Sequence, residues 1–300
     1  MNTTTQRTWA IAALMAGATL VSSCKKDDTA TLPAIGGYNS SNDIATSSLL
    51  AHWPFDGSNN ERISGTAPSS AVNASFTTGA SGQRQALNLA AGYVAFPTPA
   101  SLLNPAGLPS FTVSLWVNVK NTKGGSGAPS AFFTLARANE WAGSVNLLAE
   151  TGRYAPTNDT LDVKGLLVQK ASDGNASFQD NVNSSQKGGD QTFKAGGKWS
   201  HFVAVYDAST SKITLYGNGK KINNPDYETR MYNGALLGNL ALYPVTKVIM
   251  GAWGTNLPGG GTADSWQVPM TGQLDEVRIY NKALPAGDIN SLYQLEAAGR

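Results

Sequence analysis

Twenty carboxylates, two histidines and one cysteine are the groups from which this 300-residue chain could build acid–base, nucleophilic or metal chemistry. Their spacing narrows the choice. Hydrolysis of a glycosidic bond with retention needs two carboxyl groups about 5 Å apart, flanking the bond. The nearest approach within a strand-like segment is Asp275-Glu276. Successive strand residues point to opposite faces, so these two are not expected to act as a pair. Glu140, Glu150 and Asp162 are scattered through loop regions, and no Glu-x-Asp-x-x-Glu, Gly-x-Ser-x-Gly or His-x-x-x-His pattern occurs. Neither His52 nor His201 has a nucleophile beside it, and His201 alternates with Val203 and Val205 as a structural strand residue does. Catalysis is therefore not expected, although a cleft can still gather acids from distant strands.

The aromatic residues offer a different chemistry. Trp141, Trp253 and Trp266 each lie in or beside an extended, polar loop. Sugars present apolar C–H faces ringed by hydroxyls, so an exposed indole flanked by carboxylates, amides or arginine suits them. Trp141 with Arg137, Asn139 and Glu140 has that composition, as does Trp266 with Asp264, and Tyr154 beside Arg153 is a third candidate. The alternative for each ring is to pin its loop onto the scaffold.

The elements that hold these residues are short strands separated by turns. Phe111–Val119 is the clearest, with Phe111, Val113, Leu115, Val117 and Val119 on one face. Further strands are expected at 49–55, 86–89, 93–96, 132–136, 145–149, 166–169, 199–206, 212–216, 247–251 and 272–280. Gly217-Asn218-Gly219 supplies residues that tolerate positive φ in a tight hairpin. Ile289, Leu292 and Tyr293 follow helical spacing, which predicts one short C-terminal helix.

The first thirty residues have another purpose. Arg7 precedes an uncharged apolar run from Trp9 to Val21, too short to span a ~30 Å hydrocarbon core. The order of charged, apolar and small segments is that of a secretory signal. Val21-Ser22-Ser23 leads into Cys24, the only cysteine of the chain. That arrangement resembles a bacterial lipobox, which implies cleavage before Cys24 and a lipid on its sulfur. Several acyl chains at ~0.8 kcal/mol per CH₂ hold such a protein firmly to a membrane. Lys25-Lys26-Asp27-Asp28 resembles the signal that sends Bacteroidota lipoproteins to the outer face of the outer membrane. The expected organisation is a signal over 1–23, a lipidated flexible tether over 24–46, and one domain over 47–300. Without residues 1–23 the net charge of +2 becomes +1, because Arg7 is the only charged residue removed. So low a charge leaves no footprint for nucleic acid. With Cys24 lipidated no disulfide can form, and a monomer held by its core or by a metal is expected.

Six segments occur in an order that identifies a family. They are His52–Gly57 (HWPFDG), Gly79–Leu87 (GASGQRQAL), Thr112–Val117 (TVSLWV), Trp199–Asp207 (WSHFVAVYD), Ile213–Gly219 (ITLYGNG) and Gly272–Leu284 (GQLDEVRIYNKAL). Together they resemble the LamG-like, concanavalin A-like jelly-roll domain over Leu49 to Leu295. Trp53, Trp116 and Trp199 lie in these blocks, and the resemblance implies that they are core. The resemblance implies an all-β sandwich of two antiparallel sheets, one of them concave, with residues 120–198, 223–244 and 254–269 longer than the compact pattern. It also implies a structural Ca²⁺, for which Asp56 and Asp275 are the expected side-chain ligands. Asp275 shares a strand face with Val277 and Ile279, and that face is expected to point inward. An Asx turn at Asp56 and amide bonds to Asp275 are the metal-free alternative. Three functions remain open. The leading one is a surface-anchored, non-catalytic glycan-binding lipoprotein; the others are a protein-binding adhesion module and, less favoured, a glycoside hydrolase.

Overall fold

In the computed structural model the described residues are 32–103, 108–124, 129–183 and 191–300. The expectations for Cys24, the signal and the first part of the tether lie outside them. Alternation of apolar residues between turns produces fifteen strands among the described residues. They are β1 (Leu49–Trp53), β2 (Ser70–Thr78), β3 (Gln85–Pro97), β4 (Phe111–Asn118), β5 (Ser130–Ala136), β6 (Val145–Ala149), β7 (Val163–Lys170) and β8 (Ala176–Val182). Then come β9 (Ser200–Asp207), β10 (Lys212–Gly217), β11 (Lys220–Lys221), β12 (Met231–Tyr232), β13 (Ala235–Leu236), β14 (Lys247–Met250) and β15 (Met270–Tyr280), before the helix α1 (Ala286–Ala297).

Hydrogen bonding runs continuously through β11-β10-β9-β4-β15-β3-β14-β5-β6-β7-β8, with β1 added to β15 and β2 to β3. The path folds into two layers because β3 serves both. Its first half pairs with β15 (Leu87 opposite Leu274), and its second half with β14 (Phe96 opposite Val248). The two segments expected at 86–89 and 93–96 are thus one strand with a bend at Ala91-Gly92. Gly92 lies so close to β2 that a Cβ there would come within 2.3 Å of the Val72 carbonyl oxygen.

Between the layers lies one core. β4, β9 and β15 contribute Val113, Leu115, Phe202, Val277 and Ile279, and the facing layer contributes Phe133, Leu135, Leu147, Leu167 and Val248. Truncating any of these Leu or Ile side chains to Ala costs ~2–5 kcal/mol, from lost burial plus the cavity left behind. The expected alternation in Phe111–Val119 is realised, with all five odd-numbered apolar residues in this core.

The outer face of β9, β4 and β15 is covered by α1, whose Ile289, Leu292 and Leu295 are buried. Ile44 packs against Leu292 and Leu295, Ser41 N–H donates to the Arg300 carbonyl, and Tyr38 Oη donates to Asp288. Packed structure therefore begins ahead of the Ser47 boundary read from composition. The outer face of the other layer carries Ala131, Leu148, Leu166 and Val168, with no helix among the described residues packed over it.

Candidate ligand-binding site

Trp141, Trp253 and Trp266 meet on that second outer face. Trp141 sits in the β5–β6 connection, and the other two in the β14–β15 connection. Their ring centroids form a triangle with sides of 5.4, 5.2 and 5.4 Å, and every pair packs edge to face. That geometry is favoured by the aromatic quadrupole. It leaves no space between the rings, so any ligand must lie against the cluster rather than within it. Trp253 is fully buried, while Trp141 and Trp266 are half-buried. The Trp253 indole N–H has no hydrogen-bond partner, and neighbouring π faces are the acceptors that edge-on packing offers.

The cluster forms one side of a cleft of about 230 Å³. Leu148 and Leu166 line it as apolar residues, with Pro129, Glu150 and Lys164 at its margin. These residues share the face because β6 and β7 pair with Leu148 opposite Lys164. Lys164 Nζ lies 2.6 Å from Glu150 Oε1 and 3.3 Å from Asp180 Oδ2. Burial lowers the Lys164 pKa, but the two carboxylates outweigh it and leave the ammonium raised above its usual range. Phe178, from β8, is 49% exposed and stacks on Trp141 with centroids 6.1 Å apart. The cleft thus combines half-exposed aromatic rings, an apolar floor and a charged rim, which together can stack a ring and bond its hydroxyls.

The other expected ligand residues have different surroundings. Arg137 is buried; its Nε donates to the Ala142 carbonyl at 2.8 Å and its Nη2 to Glu140 at 3.4 Å. Its guanidinium lies over Tyr243 and Phe178, so it braces the loop that carries Trp141. Asn139 is exposed, in the left-handed region at φ 56°, and lines a neighbouring cleft of about 180 Å³ together with Arg137. Asp264 accepts from Gln267 Nε2, and its own N–H donates to Gln267 Oε1, which shapes the turn bearing Trp266. Tyr154 lies in the connection after β6 and lines none of the described clefts. Lys164, Asp180 and Phe178 join the site from β7 and β8 without having been singled out by the sequence. The alternation Lys164, Leu166, Val168 was the available signal, since it places a cation on an apolar outward face.

Asp275 departs from expectation. Glu276 adopts φ 48°, and the register of β15 against β4 shifts between Asp275 and Arg278. This bulge puts one extra residue in the strand. Leu274, Val277 and Ile279 enter the core, while Asp275 and Glu276 both line a small void beneath the C-terminus, with Trp116 and Glu296. Asp275 is therefore not on the Val277–Ile279 face, and the expectation that the two acids diverge is also corrected. The void measures about 10 Å³, too small for a sugar ring.

What surrounds these acids is a buried ionic network. Arg278 Nη2 is 2.7 Å from Glu276, and its Nε is 2.8 Å from Glu296. Arg62 Nε donates to His52 Nδ1 at 2.9 Å, so Nε2 carries the ring proton and donates to Glu276 at 2.7 Å. Burial and Arg278 push His52 down to about 4, which keeps it neutral. Burial would raise Glu276, yet Arg278 and His52 hold it down at about 2. His201 is fully buried against Ser114 at 2.7 Å and, through burial and Arg278, falls to about 3. Both histidines have structural partners.

Asp56 and Asp275 grip the two ends of the Gly79–Gln85 turn. Asp56 Oδ1 accepts from Gln85 N–H at 3.1 Å, and Asp275 Oδ2 accepts from Ala80 N–H at 2.9 Å. Burial, reinforced by the charges of Glu276 and Asp56, raises Asp275 to about 8. A Cβ on Gly79 would meet Asp275 Oδ2 at 2.6 Å, the Gln85 carbonyl at 3.0 Å and the Arg84 carbonyl at 3.1 Å. Position 79 therefore admits only glycine without a shift, and the Arg84 carbonyl is already engaged by the Gly79 N–H at 2.7 Å. Among the described residues no three His, Cys, Asp or Glu side chains cluster for a metal, so carbonyls would have to complete the shell. Arg84, 3.3 Å from Asp56 and 3.8 Å from Glu276, already supplies one positive charge there.

No curated protein matches the chain in sequence. Several solved structures share its fold. The ligand-binding domain of botulinum neurotoxin serotype D, in complex with N-acetylneuraminic acid, is 13% identical, with a TM-score of 0.54 over 85% of this chain and 52% of its own. The binding domain of Paraclostridial Mosquitocidal Protein 1 is 13% identical at a TM-score of 0.54, over 82% of this chain and 52% of its own. Domain 4 of AbnA, a GH43 extracellular arabinanase from Geobacillus stearothermophilus, in complex with arabinotriose, is 17% identical at a TM-score of 0.50. That alignment covers 82% of this chain and 98% of the domain. The chain thus spans about half the length of the toxin domains and nearly all of the arabinanase domain. The family profile of the concanavalin A-like lectin/glucanases matches residues 88–290. The chain belongs to the concanavalin A-like lectin/glucanases superfamily.

Proposed function

We propose that the protein is a non-catalytic glycan-binding lipoprotein, with its sugar site at the Trp141–Trp266 cleft. The observation that carries this reading is the convergence of three tryptophans from two separate connections beside Glu150 and Lys164. Loop-pinning alone is satisfied by burial, as at Trp253; it does not account for two rings left half-exposed over an apolar floor. Complexes of similar folds with N-acetylneuraminic acid and arabinotriose add support. The acids with convergent geometry, Asp275 and Glu276, adjoin a void that admits no substrate, which favours binding over hydrolysis.

The lipid on Cys24 holds the domain at the outer membrane, facing outward, so its ligand must come to the cell. Asp275 and Asp56 are the side chains that would hold a structural calcium beside the Gly79–Gln85 turn, which both already bond. When bound, the cation neutralises the buried carboxylate. Titration calorimetry of the lipid-free domain, residues 34–300, against a plant and host glycan panel tests the sugar reading. Binding lost in Trp141→Ala and Trp266→Ala supports it, and a folded protein that binds no glycan overturns it.

A further inference from the structure

The Trp cleft carries a charge pattern that selects among sugars. On its margin one ammonium, Lys164, stands between two carboxylates, Glu150 at 2.6 Å and Asp180 at 3.3 Å. Within the lining Lys164 and Glu150 balance in charge, and the one cation of that lining is already engaged on two sides. Farther along this face Arg137 is buried, bonded to Glu140 and the Ala142 carbonyl and covered by aromatic rings, and Lys170 lies over Tyr243 outside the cleft lining. Glu140, beside Trp141, is half exposed. An incoming carboxylate thus finds no free cation among the described residues that line the cleft and meets acids on its rim. A hydroxyl meets the opposite situation, since Glu150 accepts from it and Lys164 has a third N–H to donate.

We infer that this cleft selects uncharged glycans and excludes uronic and sialic acids. The inference rests on the glycan-binding reading and deepens it. Lys164 sets the discrimination: neutralised by its two partners, it serves as a hydrogen-bond donor rather than as an anion receptor. Asp180 lies outside the cleft lining and acts through Lys164, which makes it a positioning residue for that donor.

The test uses matched neutral and acidic pairs: galacto- against galacturono-oligosaccharides, gluco- against glucurono-oligosaccharides, and lactose against sialyllactose. Calorimetry is run on wild-type protein and on Asp180→Asn, with folding checked by thermal melt. The expected result is that the neutral member of the bound pair is favoured at least about tenfold, ~1.4 kcal/mol. That gap narrows between about 0.01 M and about 1 M salt, as the Debye length shortens from about 30 to about 3 Å. It also narrows in Asp180→Asn, where Lys164 regains an open side. A simple packing role for Asp180 would weaken both members alike and leave the ratio unmoved. An acidic glycan that binds wild-type protein as tightly as its neutral twin, or tighter at low salt, overturns the inference while leaving glycan binding in place. Failure of every pair to bind overturns both.

Discussion

Trp266→Ala separates a binding ring from a packing ring. Trp266 sits in a polar connection, touches Trp141 and Trp253 at centroid distances of 5.2 and 5.4 Å, and is half-buried. An enclosed aromatic side chain buries about 150–250 Å². About two thirds of that, ~130 Å², gives a stability loss of ~3 kcal/mol at ~25 cal/mol per Å². The turn itself should persist, because Asp264, Gln267 and Asn256 fasten it through hydrogen bonds independent of the indole. A sugar covering about half of one indole face removes on the order of 50 Å² of apolar surface, ~1.3 kcal/mol, which is close to tenfold in Kd. The assay is calorimetry with the tightest neutral oligosaccharide of the panel, beside urea unfolding of the free protein. A Kd unchanged within twofold in both Trp266→Ala and Trp141→Ala, with the protein folded, would refute the placement of the site and return both rings to loop-pinning.

Four further outcomes are expected. In metal-free protein, the Asp275 contribution to stability should fall as pH rises from about 3.8 to about 8 and level off above, read in the urea midpoint. Burial raises Asp275 to about 8 from 3.8, so its contribution is complete below 3.8, declines between the two values and is gone above 8; Asp275→Asn should flatten that slope. Calcium should raise the melting midpoint, reduce that fall near neutral pH and release protons there, and a midpoint insensitive to chelator removes the cation proposal. Arg278→Met should cost about 3–5 kcal/mol in chemical denaturation, because it leaves Glu276 and Glu296 buried without their shared cation. Cys24→Ala should move the full-length protein from the membrane fraction to the soluble fraction of expressing cells; retention in the membrane counts against the lipid anchor.

Much of the scaffold was legible because local patterns and tertiary burial agree. Phe111 to Val119 alternate in the chain and alternate in the core, and Val145–Ala149 is a strand at both levels. The missed strands had no such signal. β2, Ser70–Thr78, is a mostly exposed strand of largely small and polar residues that pairs with β3 and leaves Val72 and Phe76 exposed. β8 faces its polar Ser177, Gln179 and Asn181 inward, against the rule that reads polar residues as outward.

The sequence by itself determined the fold class, the family blocks, and the three tryptophans worth following, because each depends on residue type and short spacing. Only the tertiary structure decided what they do together. Trp141 and Trp266 are separated by 125 positions yet touch, since β14 pairs with β5 and returns one connection to the other. Lys164 became a rim residue through the β6–β7 register, which no single segment encodes. Asp275 changed face because one residue, Glu276, took a left-handed φ and slipped the strand by one position. Where side-chain direction has a period of two, a single bulge reverses every inference made across it.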